Sequence, residues 1–524
     1  MFLIILAVVL LMRLIFSWLD MSFILGRIVD DAFYYFQTAR NIVKGLGSTF
    51  DGINPTNGYH PLWMLCILPI FYFTKSSPEL SIHFVMTLQV VILAGIILLF
   101  GKIIYEKFGK AYAVIALAIF IWPRFLSQTE YGLEAGLLIF LLFVTVYFSL
   151  KSKIFSSYAG FRQNFLFGII LGFVFLARLD SIFLIAAIAV YLFLQIFIQS
   201  NIEIQKRINI FFKKSFTLAL PVILIAFPYL TYNYLKFGHI VTISGSLKHS
   251  FPVPHFFKEY FFEFKEFSII FFLALFFLIF ILLRKDSYIS FCEDNEYSAI
   301  STIFALYVIL HFADTIFFMK WAVFRWHFAG YVVFLILISP LIVDFLSEAS
   351  KKMLKIEKKV FLTFLSFAFL VGAILSQMIS VSRGMENKFQ YNVYEEALWV
   401  KDNTKKEDVL MIEDAGILGY FSDRRVVNID GVINNFELQE YFKEGKFVQY
   451  IKDKGIKYFA HHAFWNSPTV REGTYKSYLF RSFSHLYDKW GGDLVLEKKD
   501  EIYRSKEYNH FGDKTVFIIW KINY

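Results

Sequence analysis

The sequence predicts a mainly α-helical protein that crosses a membrane about eleven times and carries a small α/β domain at its carboxyl end. Of its 524 residues, 57% are hydrophobic and only 18% are charged, with a mean hydropathy of +0.55. This composition lies outside the usage of soluble domains. Long apolar stretches recur up to residue 381, and the rest of the chain shifts abruptly to polar composition.

Apolar stretches set the number of predicted crossings, because each helical crossing needs about 20 apolar residues. Eleven stretches approach this length, at 2–19, 82–101, 111–123, 132–150, 164–177, 181–199, 215–235, 267–283, 298–318, 327–345 and 361–381. The first is apolar apart from Arg13 and lacks a basic start and a small-residue cleavage site. We therefore expect a retained anchor there rather than a removed signal peptide.

The distribution of basic residues predicts the orientation. With a cytoplasmic N-terminus and segment 61–73 treated as half-inserted or interfacial, the inside loops hold 17 Lys and Arg in 66 residues, against 12 in 112 residues outside. This excess follows the positive-inside rule. Counting 61–73 as a crossing would place the basic run 351–359 outside. We therefore expect residues 1–384 to form the membrane domain and 385–524 to form an external domain.

The predicted external domain has the pattern of a small α/β layer structure. The segments DVLMIED, RVVNIDG and IKYFAHH read as short buried strands, and the tail KTVFIIWKINY reads as a closing strand. Helical patterns at 393–403 and 436–454 alternate with them. Two cysteines exclude a disulfide framework, and the net charge of +9 fits lipid headgroups and cytoplasmic loops better than nucleic acid.

The first external loop, residues 20–81, carries the strongest functional signal. Asp30 and Asp31 precede a run with apolar residues at helical spacing, which predicts an amphipathic helix on the membrane surface. Either acid can cap this helix. Alternatively, the pair has one raised pKa suited to a general base, or it holds a divalent cation such as Mg²⁺ or Mn²⁺. The sequence leaves these alternatives open.

The stretch DDAFYYFQTARN, with NPTNGYHPLW after it, resembles the first-loop signature of GT-C integral-membrane glycosyltransferases. The similarity is to bacterial members related to protein O-mannosyltransferases and the lipid A aminoarabinose transferase. It implies transfer of a sugar from a polyprenyl-phosphate donor to an envelope glycan, lipid or protein at the external face of a bacterial inner membrane. It also implies Asp30 as the catalytic base, with Asp31 beside it. Several relatives have Asp-Glu at this position. Within the motif, the candidate substrate-binding residues are Tyr34, Arg40, Asn57 and His60.

Other polar residues are predicted on the same face. Glu134 begins a crossing, and Arg178 with Asp180 sits at a helix break. Ionisable residues at membrane depth are costly and often functional, although Arg178 and Asp180 also fit a mutual ion pair, and Glu134 fits a hydrogen bond to a neighbouring helix. Lys248 and His249 in a later loop are candidates for the carrier phosphate, with a flexible flap as the competing interpretation.

Arg325 completes the set of candidate residues, because a guanidinium can grip a phosphate with two hydrogen bonds. Its neighbours Trp321 and Trp326 have the ordinary pattern of an interfacial aromatic belt. Two other functions stay open. One is a transporter or flippase for lipid-linked substrates, against which the sequence shows no internal repeat and places its acids at the membrane surface. The other is an envelope polysaccharide polymerase or ligase that uses an oligosaccharide donor.

Overall fold

The structure, a computed structural model, consists of a helical membrane domain followed by a C-terminal domain built on one mixed β-sheet. It describes residues 2–75, 77–155, 159–198, 203–254, 256, 263–283, 295–321, 323–386, 389–464, 496–510 and 513–523. The fold class predicted from the sequence is confirmed, because the described residues are mostly helical and the strands lie in the C-terminal part.

The first half of the membrane domain contains the helix that carries the two adjacent acids. Its helices are α1 (Phe2–Phe16), α2 (Met21–Leu25), α3 (Asp30–Val43), α4 (Pro61–Phe73), α5 (Pro78–Phe108), α6 (Lys110–Phe120), α7 (Pro123–Leu126), α8 (Ala135–Ser152), α9 (Phe161–Ala177) and α10 (Ile182–Ile198). Prolines stand at the first turns of α4, α5 and α7, where the missing backbone donor leaves no hydrogen bond unmade.

The second half of the membrane domain continues with longer helices. These are α11 (Ile204–Phe237), α12 (Ile243–Lys248), α13 (Lys265–Leu283), α14 (Asn295–Phe318), α15 (Tyr331–Leu354) and α16 (Lys358–Glu386). Since α15 has 24 residues, it separates its two ends by about 36 Å at 1.5 Å per residue. The basic run 351–359 therefore lies far from the start of α15.

Each of the eleven predicted apolar stretches has most of its described residues in a helix. Within the described residues, seven helices are long and apolar enough to cross a membrane, and an eighth span results if α6 and the segment Pro123–Thr129, bent by 69°, are one crossing. This bend explains why the stretch 111–123 is short. Three more predicted crossings correspond to the shorter apolar helices Phe2–Phe16, Phe161–Ala177 and Leu179–Gln195. Segment 61–73, which we predict to be half-inserted or interfacial, forms the 13-residue apolar helix α4.

A buried charge cluster accounts for Arg13 inside the apolar first helix. The Arg13 guanidinium lies 2.7 Å from a carboxylate oxygen of Glu130 and also donates a hydrogen bond to Gln377 at 2.6 Å. Arg27 pairs with the same carboxylate. Because a charge in an apolar interior needs a partner, this cluster ties α1 to the segment before α8.

The C-terminal domain has a sheet flanked by short helices. Its elements are α17 (Phe389–Asn403), β1 (Val409–Ile412), α18 (Gly416–Phe421), β2 (Arg425–Asn428), α19 (Phe436–Lys443), α20 (Phe447–Asp453), β3 (Ile456–Phe464), β4 (Glu501–Arg504), β5 (Tyr508–His510) and β6 (Asp513–Lys521). The strand order is β2-β1-β3-β6-β4, with β5 also paired to β6. Strands β1, β2 and β3 are parallel, and β6 is antiparallel to β3.

The strands predicted from four apolar segments are therefore present, and their parallel arrangement positions polar residues. The predicted helix over 436–454 is two helices, because Gly445 adopts a φ of +67° in the turn between them. Since β1 and β2 are parallel neighbours, the residues that follow them meet at one edge of the sheet. Those residues include Asp414 after β1 and Asp430 after β2.

The two domains share a continuous apolar core along α3. Phe33 and Phe36 of α3 are fully buried against Tyr420 and Phe421 of α18. Gly58 in the first loop approaches so closely that a β-carbon there would lie 2.2 Å from the Val432 carbonyl oxygen. The C-terminal domain is thus packed directly on the loop that carries the acidic pair.

Candidate active site

Asp30 joins the membrane domain to the C-terminal domain. Its Oδ1 accepts a hydrogen bond from the Ile417 amide at 2.8 Å, and its Oδ2 accepts one from the Gly416 amide at 2.9 Å. These amides form the amino end of α18, where unpaired backbone donors favour a carboxylate. The residue that caps α3 is Val29, so Asp30 caps α18 rather than its own helix. Burial raises the pKa of Asp30 to about 7, with Asp31 adding to the rise while the two amides oppose it.

Asp31 has a different environment from its neighbour. Its half-buried carboxylate makes no hydrogen bond or ion pair with any residue in the described part of the chain. The ammonium of Lys248, at the end of α12, is likewise unpaired among these residues. Burial raises the pKa of Asp31, Lys248 opposes that rise, and Glu134 adds to it. The Asp31 carboxylate and the Lys248 ammonium, both without partners among the described residues, therefore lie near one another.

The sheet contributes a third group to this region. Asp430, which follows β2, is buried and accepts a hydrogen bond from the Val432 amide at 2.9 Å. Burial raises its pKa to about 7, Asp31 adds to the rise, and Lys248 opposes it. Sequence reasoning missed Asp430 as a site residue. The signal that identifies it is its place after a parallel strand, where ligand-binding residues gather in open α/β sheets.

A buried ion network supports the site from the membrane side. The Arg178 guanidinium donates to Glu134 Oε1 at 2.6 Å and to Asp180 Oδ2 at 2.6 Å, and only 3% of the Arg178 surface is exposed. The Tyr35 hydroxyl donates to the other oxygen of Glu134 at 2.8 Å. The ion pair between Arg178 and Asp180, which the sequence analysis gave as an alternative to a substrate role, is therefore present. The alternative for Glu134, hydrogen bonds to neighbouring helices, is present as well.

His60 links this network to the first loop. Its Nε2 lies 3.8 Å from Glu134 Oε1, and its backbone amide donates to the Tyr35 hydroxyl at 3.1 Å. Burial lowers the pKa of His60, while Glu134 opposes that change. Tyr35 connects the two halves of the motif, and the sequence analysis did not single it out.

Two other predicted residues of the motif face the C-terminal domain and α12. The Tyr34 hydroxyl lies 3.5 Å from the Asn428 amide nitrogen, and burial raises the pKa of Tyr34, with Asp430 adding to the rise. Asn57 accepts a hydrogen bond from the Ile243 amide at 2.9 Å. Asn57 thus helps to hold α12, which carries Lys248, against the first loop.

Three predicted substrate-binding residues lie outside this constellation. Arg40 donates to the Tyr420 carbonyl at 2.8 Å and pairs with Asp423 at 2.9 Å, so it braces α3 against the C-terminal domain. His249 pairs with Asp314 at 2.9 Å. Arg325 pairs with Glu266 at 3.2 Å, and Glu266 also pairs with Arg124.

A divalent metal does not fit the arrangement of the acidic pair. Both oxygens of Asp30 already accept amide hydrogen bonds. Among the described residues, no group of three or more His, Cys, Asp or Glu side chains is placed to hold a metal ion. Since Mg²⁺ and Mn²⁺ prefer several oxygen ligands, we assign no reaction step to a metal.

Comparisons with solved structures identify the fold. The chain is similar to ArnT from Cupriavidus metallidurans bound to undecaprenyl phosphate, with 11% identity, a TM-score of 0.53 and coverage of 99% of this chain and 97% of that one. It is also similar to the archaeal oligosaccharyltransferase AglB from Archaeoglobus fulgidus in complex with an inhibitory peptide and a dolichol-phosphate, with 13% identity, a TM-score of 0.52 and coverage of 87% and 69%. The chain therefore has the GT-C fold, as the first-loop motif indicated.

Sequence comparisons add one match in the C-terminal part. A family model described as a domain of unknown function, DUF8728, matches residues 382–510. No curated protein matches the chain in sequence. At these identities, the similarity to solved structures concerns the fold, and the function has to be argued from the site.

The contact between Asp30 and Gly416 gives a direct test of domain docking. A β-carbon on Gly416 would lie 2.2 Å from the Asp30 carbonyl oxygen, so Gly416→Ala forces α18 away from α3. We expect this variant to be destabilised by roughly 1–3 kcal/mol, as for overpacking in a core. The measurement is thermal unfolding of the purified protein, with limited proteolysis of the C-terminal domain as a second readout.

Gly372→Ala is the matched control, because a β-carbon there meets its nearest neighbour at 3.4 Å. It should be at least as stable as the wild type, because Ala is favoured over Gly inside a helix by roughly 0.5–1 kcal/mol. Equal stability of the two variants would show that the close contact between α18 and α3 is absent in solution.

Proposed function

We propose that the protein is an inverting glycosyltransferase that moves a sugar from a polyprenyl-phosphate donor to an acceptor hydroxyl at the external face of a bacterial inner membrane. The observation that carries this proposal concerns Asp31 and Lys248, which have no hydrogen-bond or ion-pair partner among the described residues. They lie close enough for the Lys248 charge to act on the Asp31 carboxylate where the membrane domain meets the C-terminal domain. The GT-C fold, and the undecaprenyl phosphate bound to ArnT, support the donor class.

The proposed reaction is a single displacement at the anomeric carbon. The acceptor oxygen attacks this carbon as its proton passes to the Asp31 carboxylate, and the bond from the carbon to the phosphate oxygen breaks. The electron pair of that bond leaves on the phosphate, which departs as polyprenyl phosphate. Attack opposite the leaving group inverts the anomeric centre. A base with a raised pKa suits this role, because it holds the proton more firmly than an exposed aspartate does.

Lys248 is the proposed partner of the leaving phosphate. An ammonium group stabilises the negative charge that develops on the phosphate oxygen as the bond breaks. Its neighbours Asp31 and Asp430 are acids, so the phosphate must enter next to carboxylates that repel it. Lys248 offsets this repulsion, and a proton on Asp430, whose pKa is about 7, reduces it further.

In this proposal the two acids of the motif have separate roles. The resemblance to GT-C enzymes implies Asp30 as the base, whereas both Asp30 oxygens are already bound by amides of α18. We therefore propose Asp31 as the catalytic base and Asp30 as the group that holds the C-terminal domain. Glu134, Arg178 and Asp180 act as positioning residues through Tyr35 and His60.

Replacement of each acid by its amide separates these roles. Asp31→Asn removes the base and should lower turnover by about 10²- to 10⁴-fold while leaving thermal unfolding unchanged. Asp30→Asn replaces one acceptor oxygen by a donor that faces an amide, so its main effect should be a lower unfolding temperature. The assay follows radiolabelled polyprenyl-phosphate sugars consumed by the purified protein.

Two outcomes of the same assay would contradict these assignments. Full turnover by Asp31→Asn would remove it as the base, and loss of turnover by a normally stable Asp30→Asn would return that role to Asp30. Mass analysis of the consumed carrier tests the donor. A monosaccharide phosphate supports our proposal, whereas an oligosaccharide donor would assign a polymerase or ligase reaction.

The pH dependence of turnover tests the interaction between Lys248 and Asp31. Asp31 has to be ionised to accept a proton, so activity should fall as the pH drops through its raised pKa. Lys248 stabilises the ionised form. Lys248→Met should therefore move the acidic limb of the kcat/KM profile to higher pH, in addition to lowering the rate.

Lys320→Met provides the control, because it also removes one lysine charge. The contact between Lys320 and Lys248 is a hydrogen bond between their backbones, which this substitution leaves in place. Its acidic limb should coincide with that of the wild type. An unshifted limb in Lys248→Met would show that the titrating group does not face Lys248.

A further inference from the structure

A cavity of about 430 Å³ lies between α3 and the C-terminal domain, away from the two acids. It is lined by the second half of α3 and by residues at the amino ends of β1 and β2, such as Lys406 before β1 and Arg425 at the start of β2. The candidate active site lies at the carboxyl ends of the same strands. The volume falls within the range of small-ligand sites.

Cations without partners face this cavity. The side chains of Lys44, Lys406 and Arg425 line it, and none of them makes an ion pair or hydrogen bond with another described residue. Arg40 also lines it but is already paired with Asp423. Burial and then the like charges of Arg40 and Lys406 lower the pKa of Lys44, with Asp423 opposing them. An anion bound among these cations would relieve their repulsion.

The acids in the lining do not satisfy these cations. Asp51 accepts hydrogen bonds from the amides of Ile53 and Asn54 at 2.8 and 2.7 Å. Asp423 pairs with Arg40. Glu407 also lines the cavity, but it makes no ion pair with Lys44, Lys406 or Arg425. The lining holds five Lys and Arg side chains against three acids. The cavity therefore keeps a surplus of positive charge.

A buried amide supplies a second, independent sign of a ligand. Gln37 is only 6% exposed, and its Oε1 has no hydrogen-bond partner in the described part of the chain. Its Nε2 makes one long contact of 3.5 Å with Asn41. A buried carbonyl oxygen without a donor is costly, and a ligand hydroxyl in this cavity would satisfy it.

We propose that this cavity binds an acidic saccharide, with its carboxylate or phosphate on Lys44, Lys406 and Arg425 and a hydroxyl on Gln37. Gln37 and Lys44 lie about 9 and 20 Å beyond Asp31 along α3, at 1.5 Å per residue. This assignment rests on the proposed function. The ligand is then a part of the acceptor that lies about 9 to 20 Å from its reacting hydroxyl. The acceptor class is then an acidic envelope glycan.

The test measures binding of digalacturonic acid to the full-length protein in detergent by isothermal titration calorimetry. All proteins carry Asp31→Asn, so the result does not depend on turnover. We expect salt-sensitive binding of digalacturonic acid and at least about tenfold weaker binding of the neutral disaccharide maltose. Combined Lys44→Ala, Lys406→Ala and Arg425→Ala should weaken binding of digalacturonic acid at least about tenfold.

The matched control removes the same charge from three exposed lysines in α19, in α20 and in the turn between them, through combined Lys443→Ala, Lys446→Ala and Lys452→Ala. It should keep affinity for digalacturonic acid within about twofold, since distant surface charges are screened. Gln37→Leu should weaken binding of digalacturonic acid but not of inorganic sulfate, because sulfate is fully ionised at neutral pH and has no hydroxyl to donate.

Three results would overturn this inference. The first is equal binding of maltose and digalacturonic acid. The second is unchanged affinity for digalacturonic acid in the triple cavity variant. The third is equal affinity for inorganic sulfate with no effect of Gln37→Leu, which would indicate a simple anion site. Binding as expected in a protein that transfers no sugar would leave the cavity assignment standing while removing the proposed function.

Discussion

The contact between the Asp30 carboxylate and the two amides of α18 is the interaction on which the rest of the site depends. A buried carboxylate is costly unless it is hydrogen-bonded, and the amino end of a helix supplies the donors that offset this cost. The absence of a side chain at Gly416 permits the approach. This contact fixes the C-terminal domain beside the first loop, so that Asp430 comes to lie next to Asp31.

Helix geometry explains why two adjacent acids have different surroundings. Successive residues of an α-helix point about 100° apart, so Asp30 can face α18 while Asp31 faces Lys248. The ion network around Arg178 lies on the membrane side of the same constellation. One helix, α3, thus links the membrane domain, the candidate active site and the basic cavity on the far edge of the sheet.

Local patterns in the sequence were sufficient for the fold class, the apolar helices and four of the six strands in the described residues, because apolar runs and strand periodicity are short-range properties. They also supplied the alternative that Arg178 pairs with Asp180, two residues away. The pairing of Arg325 with Glu266 and the role of Gly416 depend on residues distant in the chain, which no local pattern specifies. The position of Asp430 after a parallel strand was a usable signal that the motif-based interpretation left aside.

The central claim is that Asp31 and Lys248 face the carrier phosphate at the junction of the two domains. Electron cryomicroscopy of the purified protein with added undecaprenyl phosphate tests it most directly. The account predicts phosphate density within hydrogen-bond distance of the Lys248 ammonium and near the Asp31 carboxylate. Phosphate density at the opposite end of the helices, beside the basic run 351–359, would contradict it.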